Sequence, residues 1–265
     1  MEGPKLNIAI MVCGHWRDGR RCYENFVNRI KGPNSHHNLD LFVITSGVDS
    51  ARGTVTGKTY MNPVGEVKHD KKYYKKHGLI YNVSKDELKK EIEEVYKEEN
   101  LIGVYLTEEE IEDNNINPMS WEWFRRGIFS KPFYGMQKVK EHQKQTNIKY
   151  DVVLRTRPDL ILRQYITIEK PDENTLYTFG GWKPWVHSKK RRWRALHKYM
   201  VDFFAYGSVD TMETYTNIHL AKEPIKTGRR KHPFQSEWQL CLYLKKHNIQ
   251  RNFILNKRNL YNIPR

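Results

Sequence analysis

The sequence predicts a single α/β domain with a mostly parallel central sheet flanked by helices, and three observations predict it. Asn7-Ile-Ala-Ile-Met-Val-Cys13 is an unbroken apolar run, the pattern of a strand buried on both faces. Leu39-Asp-Leu-Phe-Val-Ile-Thr45 is a second such run with a helical repeat before it. A strand–helix–strand unit of about 45 residues makes its two strands parallel neighbours. Tyr150-Asp-Val-Val-Leu-Arg-Thr-Arg-Pro-Asp-Leu-Ile-Leu162 is a third strand-like run, interrupted by Arg155, Arg157 and Asp159. At 265 residues the chain is long enough for one full core, and no repeat, low-complexity tract or linker divides it, so 1–265 reads as one domain.

Taken in order, the first strand ends at Gly14. From Arg20 onward Tyr23, Phe26, Val27 and Ile30 recur at helical spacing until Gly32-Pro33 stops the helix. The second strand closes at Ser46-Gly47. Residues 48–125 read as a long loop with a helical insertion. Within them, 48–82 are rich in Gly, Lys and Tyr without periodicity, and Ser84 with Glu87 forms a capping box ahead of Leu88, Ile92 and Val95. Thr107 with Glu110 forms a second box. Ser130-Lys-Pro-Phe starts a helix carrying Phe133, Met136 and Val139, which leads into the Tyr150 strand. Thr175-Leu-Tyr-Thr-Phe179, closed by Gly180-Gly181, and Phe203-Phe-Ala-Tyr206 are short strands. Ser208 caps a helix that buries Met212 and Tyr215, and a last helix carries Trp238, Cys241 and Leu244.

Composition narrows the function classes. No run approaches the roughly 18 apolar residues of a membrane span. Met-Glu-Gly-Pro-Lys-Leu-Asn lacks the charged-then-apolar pattern of a signal peptide, so a soluble, cytoplasmic protein is expected. Cys13, Cys22 and Cys241 have neither paired number nor Cys-x-x-Cys spacing, which argues against a disulfide framework or a zinc site. The net charge of +15 attracts phosphate-bearing partners. It is clustered at Lys71, Lys72, Lys75 and Lys76, at Lys189 to Arg194, and at Arg229 to Lys231.

Charge inside a strand-like run is costly unless it is paired or meets a ligand. Arg155, Arg157 and Asp159 therefore mark either an anion site, with or without a metal ion, or a structural Arg–Asp pair closing the sheet. In open α/β sheets ligands sit outside the carboxyl ends of the strands. Gly14 and Arg17 lie after the first strand, Thr45 and Ser46 end the second, and Arg157 with Asp159 end the third, so three strands converge on one crevice. Gly-x-Gly-x-x-Gly and the P-loop pattern are both absent.

The order strand–Gly-x-x-Arg–helix–Asp-Leu-Phe-Val-Ile-Thr, then Tyr-Asp-x-Val-x-Arg-x-Arg-Pro-Asp, Asp-Phe-Phe-Ala-Tyr-Gly-Ser and a late Ser-Glu-x-x-Leu resembles a family of small glycosyltransferases of large algal viruses and polysaccharide-synthesis loci. The resemblance covers about residues 6–50 and 130–245. It implies a GT-A-like fold, a nucleotide-diphosphate sugar donor and a glycan or glycoprotein acceptor, in the host cytoplasm for a viral protein. In GT-A enzymes a central strand ends in Asp-x-Asp, which holds Mn²⁺ or Mg²⁺ against the diphosphate. Here Arg157-Pro158-Asp159 stands at that place, with Arg157 where the first Asp is expected. Asp159 is the expected metal ligand, and Arg157 offers the diphosphate a cation of its own.

An inverting transfer needs a general base for the acceptor hydroxyl. Glu237, near the start of the last helix, is the first candidate, because a helix N-terminus favours its ionised form. Asp202, just before the Phe203 strand, is the second. Trp182 and Trp185, after Gly180-Gly181 and among basic residues with Trp193, offer aromatic faces to an acceptor sugar. Donor-binding residues are expected to be Gly14, Arg17, Thr45, Ser46, Arg155, Arg157 and Asp159. His232 and His247 lack a paired ligand at metal spacing. Two rival readings accompany this one: a nucleic-acid-binding protein, for which no recognition motif is visible, and a catalytically inactive sugar-binding homologue.

Overall fold

The protein is described from a computed structural model, which covers residues 4–16, 19–46, 54–55, 58–59, 85–107, 121, 125, 128–180, 200–225, 236–255 and 261–262. The first unit forms as expected. Strand β1 (Asn7–Cys13) leads into helix α1 (Gly19–Phe26), which widens to a π turn over Val27–Lys31 and closes as a 3-10 turn at Gly32–Asn34. Strand β2 (Asn38–Ser46) then pairs with β1 in parallel, from Asn7↔Asn38 to Cys13↔Ile44. A two-residue pairing, β3 (Thr54–Val55) with β4 (Lys58–Thr59), is antiparallel. Helix α2 (Lys85–Val95) buries Leu88 and Ile92, the face that the sequence marks.

The sheet continues with a strand that the sequence reading missed. Residues Leu101–Thr107 form β5, parallel to β2, inside the stretch taken for loop and helical insertion. Thr107 thus ends a strand. Its glycine and its place at the sheet margin, where most of its side chains are half-exposed, kept Leu101-Ile-Gly-Val-Tyr-Leu-Thr107 from reading as a buried run. Helix α3 (Phe129–Thr146) returns the chain to β6 (Val152–Thr156), which lies on the other side of β1 and parallel to it. After β7 (Ile161–Leu162) come β8 (Thr175–Gly180), β9 (Met200–Gly207), helix α4 (Val209–Thr216), helix α5 (Ser236–Lys246), β10 (Gln250–Leu255) and β11 (Tyr261–Asn262). The Ser208 hydroxyl caps α4 by accepting from the Thr211 N–H, as its sequence position predicts.

The seven-stranded sheet has the order β10-β8-β9-β6-β1-β2-β5, and β9 alone runs against its neighbours. Alternate residues of β1 serve two cores. Ile8, Ile10 and Val12 pack with Phe26, Ile30, Leu88, Ile92 and Tyr96 on the side of α1 and α2. Ala9, Met11 and Cys13 pack with Phe129, Met136, Met212, Leu240 and Leu244 on the side of α3, α4 and α5. Gly135 lets α3 lie close to the sheet, because a Cβ there would stand 2.9 Å from Ile44 Cδ1 and 3.2 Å from Met11 Sδ. The three cysteines are buried, and no described helix is long and apolar enough to cross a membrane.

Polar groups at the amino edge of the sheet are satisfied internally. Asp40, the one acid within β2, accepts from Tyr150 Oη and from Asn100 Nδ2, both at 2.5 Å. Asn34 donates to the Ile30 and Ile166 carbonyls and accepts from the Ile168 N–H, which fastens the 163–174 segment under α1. His37 completes this tie. Its Nδ1 accepts from the Leu6 N–H and its Nε2 meets the Ile168 carbonyl, both at 3.3 Å, an arrangement that requires the neutral ring protonated at Nε2.

Burial holds the His37 pKa below its ordinary value. The unfolded chain therefore binds this proton more readily, so the stability that His37 contributes is present above its unfolded pKa of about 6.5 and is lost as pH falls through the folded value. Tm measured from about pH 8 down to pH 5 is expected to fall less steeply in His37→Gln than in the wild type. Equal slopes would show that His37 is not linked to folding.

Candidate active site

The strand order reverses at β1: the chain builds outward through β2 and β5, then crosses back to place β6 on the opposite side. Such a switch point leaves a crevice at the carboxyl ends of the two central strands. Gly14 follows β1 there, its N–H donating to the Ile44 carbonyl at 3.1 Å and its φ at 155°. A Cβ on Gly14 would stand 3.2 Å from Pro158 Cδ and 3.6 Å from Arg157 Cγ. Two features that the sequence placed on the same edge, Gly14 and the Arg157-Pro158-Asp159 turn, thus pack against each other. Only a residue without a side chain fits between them at that backbone angle.

Thr45 and Ser46 end β2 beside this point and are buried. The Thr45 carbonyl accepts from the Thr107 hydroxyl at 3.2 Å, whereas its own hydroxyl is buried without a hydrogen-bond partner among the described residues.

Arg157 and Asp159 form a fork. Arg157 Nε donates to Oδ1 and Nη2 to Oδ2, each at 2.7 Å, within the turn closed by Leu160 N–H to the Arg157 carbonyl. Asp159 is 1% exposed and the Arg157 side chain 23% exposed, so the acid is sealed in while the base stays partly open at the end of β6. Burial works against the Arg157 charge. The hydrogen bonds to Asp159, with the charges of Asp159 and Asp202, outweigh it and hold its pKa above the ordinary arginine value. Asp202, on the first residues of β9, is thereby brought into the same neighbourhood.

Arg155 has a different setting from the one the sequence suggests. It pairs along the sheet with Met11 and Ala205, whose side chains belong to the core under α3 and α4. It is 3% exposed, donates from Nη1 to Tyr215 Oη, and its guanidinium carbon lies 5.3 Å from the Phe129 ring centre. Its Nε has no hydrogen-bond partner among the described residues. Of the two arginines, Arg157 is the one with an open edge. Tyr215 was legible as a core residue of α4, but nothing in its spacing signals that its hydroxyl receives a buried cation. Nearby, burial pushes the Cys13 thiol up to about 12 despite the positive charges of Arg155 and Lys131, so Cys13 is a packing residue and no nucleophile at neutral pH.

The remaining candidates lie outside the described residues: Arg17, Trp182 and Trp185, the three basic clusters, His232, and the side chain of Glu237. The helix that carries Glu237 is described. Helix α5 packs on β9, and because it ends at Lys246 and β10 begins at Gln250, it runs opposite in direction to β10 and starts toward the edge where β1 and β6 end. His247 is exposed and lies against the Tyr243 ring, with 4.4 Å between ring centres.

The described residues do not fit a divalent cation. Both Asp159 oxygens are taken by Arg157, and no group of three His, Cys, Asp or Glu among the described residues is arranged to hold a metal ion. No protein-family model matches the chain, and no curated protein is significantly similar to it. The family resemblance therefore stands on the motifs quoted from the sequence.

Removing one partner of a sealed ion pair leaves the other charge uncompensated, at a cost of about 3 kcal/mol or more, whereas replacing both with apolar groups costs far less. Asp159→Ala is expected to lose about 3 kcal/mol in urea unfolding. The double variant Arg157→Met with Asp159→Leu is expected to be more stable than Asp159→Ala alone. Additive losses would mean that the fork contributes nothing as a pair.

Proposed function

We propose that the chain is a glycosyltransferase that takes a nucleotide-diphosphate sugar and passes the sugar, with inversion, to a hydroxyl of a glycan or glycoprotein. The observation that carries this reading is the packing of Gly14 against Arg157 at the switch point. It offers backbone approach and a fixed cation at one spot. Asp159 occupies Nε–H and one Nη2–H of Arg157, and among the described residues the Nη1 edge remains for a second two-pronged contact of the kind that phosphates accept. As the glycosidic bond breaks, negative charge grows on the diphosphate, and a cation already oriented there stabilises the transition state without reorganisation. The leaving-group charge is assigned to Arg157 in place of Mn²⁺ or Mg²⁺, because the Asp159 oxygens are committed to the fork.

The acceptor hydroxyl must lose a proton as it attacks the anomeric carbon, and Glu237 and Asp202 are the carboxylates assigned to accept it. Asp202 has the support of its electrostatic coupling to Arg157, and Glu237 that of its place in the first turn of α5. In sequence Trp182 and Trp185 fall between β8, which ends at Gly180, and β9, which begins at Met200, and they remain the acceptor platform of the proposal.

Titration calorimetry with uridine, guanosine, cytidine and thymidine diphosphates tests the reading directly. One base is expected to bind selectively, with affinity kept at moderate salt and in EDTA, and Arg157→Lys is expected to weaken it by about tenfold or more. Loss of all binding in EDTA would return the site to a conventional metal centre. Binding of oligonucleotides that collapses with salt, without nucleotide selectivity, would favour the nucleic-acid reading.

For a nucleotide sugar that binds, Glu237→Gln is expected to lower turnover by about 10²–10⁴ with donor affinity nearly unchanged. Wild-type turnover in Glu237→Gln together with loss in Asp202→Asn would pass the role of base to Asp202. A retained anomeric configuration would remove the need for either.

A further inference from the structure

Strand β9 departs from both of its neighbours at the edge where the crevice opens. Its ladder with β6 stops at Arg155↔Ala205, although the strand begins at Met200. On its other side Thr178 pairs with Ala205 and Gly180 with Met200, so the single β8 residue Phe179 faces β9 residues 201–204. This is a bulged irregularity of the ladder, on a strand that has already left β6. Bulges bend a strand and re-aim its side chains. Asp202 sits inside this one.

A backbone off its ladder needs other partners. The Asp202 carbonyl accepts from the Tyr215 hydroxyl at 3.1 Å. That hydroxyl has one proton, and giving it to Asp202 leaves it to accept from Arg155 Nη1, so the chain of donors runs Arg155 to Tyr215 to Asp202. A charged donor strengthens and polarises the bond beyond it. Phe129 and Tyr215 present their rings to the guanidinium, and Arg155 and Tyr215 are both buried. Burial also keeps the Tyr215 pKa well above its ordinary value, so the hydroxyl retains its proton at any working pH.

We propose that Arg155 and Tyr215 are positioning residues that hold the β9 bulge and thereby fix Asp202 at the mouth of the crevice, beside Arg157. A buried guanidinium in β6 is expensive in isolation, and this task explains its presence there. The tether stands on the geometry alone, and only its catalytic consequence rests on the transferase reading.

Tyr215→Phe keeps the ring and removes the hydroxyl. Amide hydrogen exchange at residues 201–204 is expected to rise by about tenfold or more, while exchange in β1 and β2 keeps its wild-type rate. Arg155→Lys, a second variant in case the first fails to fold, should raise exchange at the same amides by a smaller factor. If the transfer reaction is found, Tyr215→Phe is expected to lower kcat with donor KM unchanged, and to add little to the loss in Asp202→Asn. Unchanged exchange at 201–204, or an equal rise across the whole sheet in both variants, overturns the proposal. A local rise in a protein that transfers no sugar supports the tether and rejects the transferase reading.

Discussion

Strand β1 has a parallel neighbour along each edge and a helical layer over each face, and this double enclosure constrains the rest of the molecule. No polar side chain fits along its length, so Ile8 to Cys13 are all apolar and all buried. Anything reactive can emerge only where the strand stops. Enclosure also determines topology: with β2 already on one edge, the chain must cross over through α3 to lay β6 on the other. The strand order then reverses, which creates the crevice at Gly14. The site is a consequence of how the central strand is covered.

At that crevice electrostatics replace packing as the deciding term. Asp159 is almost fully enclosed, and an isolated carboxylate there would be strongly unfavourable, so its partner is obligatory. Arg157 supplies both hydrogen bonds and still stays partly open at the end of β6, which a lysine cannot do with one ammonium. The fork thus has two consequences: it neutralises the acid, and it orients the remaining guanidinium edge. A carboxylate engaged in this way is a poor metal ligand, because a cation would have to displace two charge-assisted hydrogen bonds to reach it. An arginine at position 157 is therefore coherent with its neighbours.

The parts of the fold that were legible in the sequence are those whose signals are local and strong. β1 and β2 are long apolar runs, α1 and α2 carry clear 3.6-residue repeats, and the cap at Ser208 matches its sequence position. β5 and β10 escaped because edge strands bury little: Leu101-Ile-Gly-Val-Tyr-Leu-Thr107 mixes a glycine with half-exposed side chains, and Gln250-Arg-Asn opens with polar residues. Their pairing depends on a neighbour far away in the chain, which no local pattern encodes. The convergence of Gly14, Thr45, Ser46 and Arg157 was legible for a different reason. In a parallel sheet every strand ends at the same edge, so strand-terminal residues can be grouped before any contact is known.

Arg155 and Arg157 show where that logic stops. Two residues apart in one strand-like run, they share a side of the sheet and look interchangeable in sequence. Their difference arises from where the strand ends. β6 stops at Thr156, so Arg155 keeps strand geometry and is driven under α3 and α4, whereas Arg157 already belongs to a turn and pairs with Asp159. The β6 ladder with β9 ends at Arg155↔Ala205, whereas its pairing with β1 continues to Thr156, and β9 bulges away beyond that point. The bulge needs a partner for its carbonyl, Tyr215 supplies one, and Arg155 is the donor that closes the chain. The charge that looked like a ligand contact in the sequence is, in the fold, the anchor of the opposing strand.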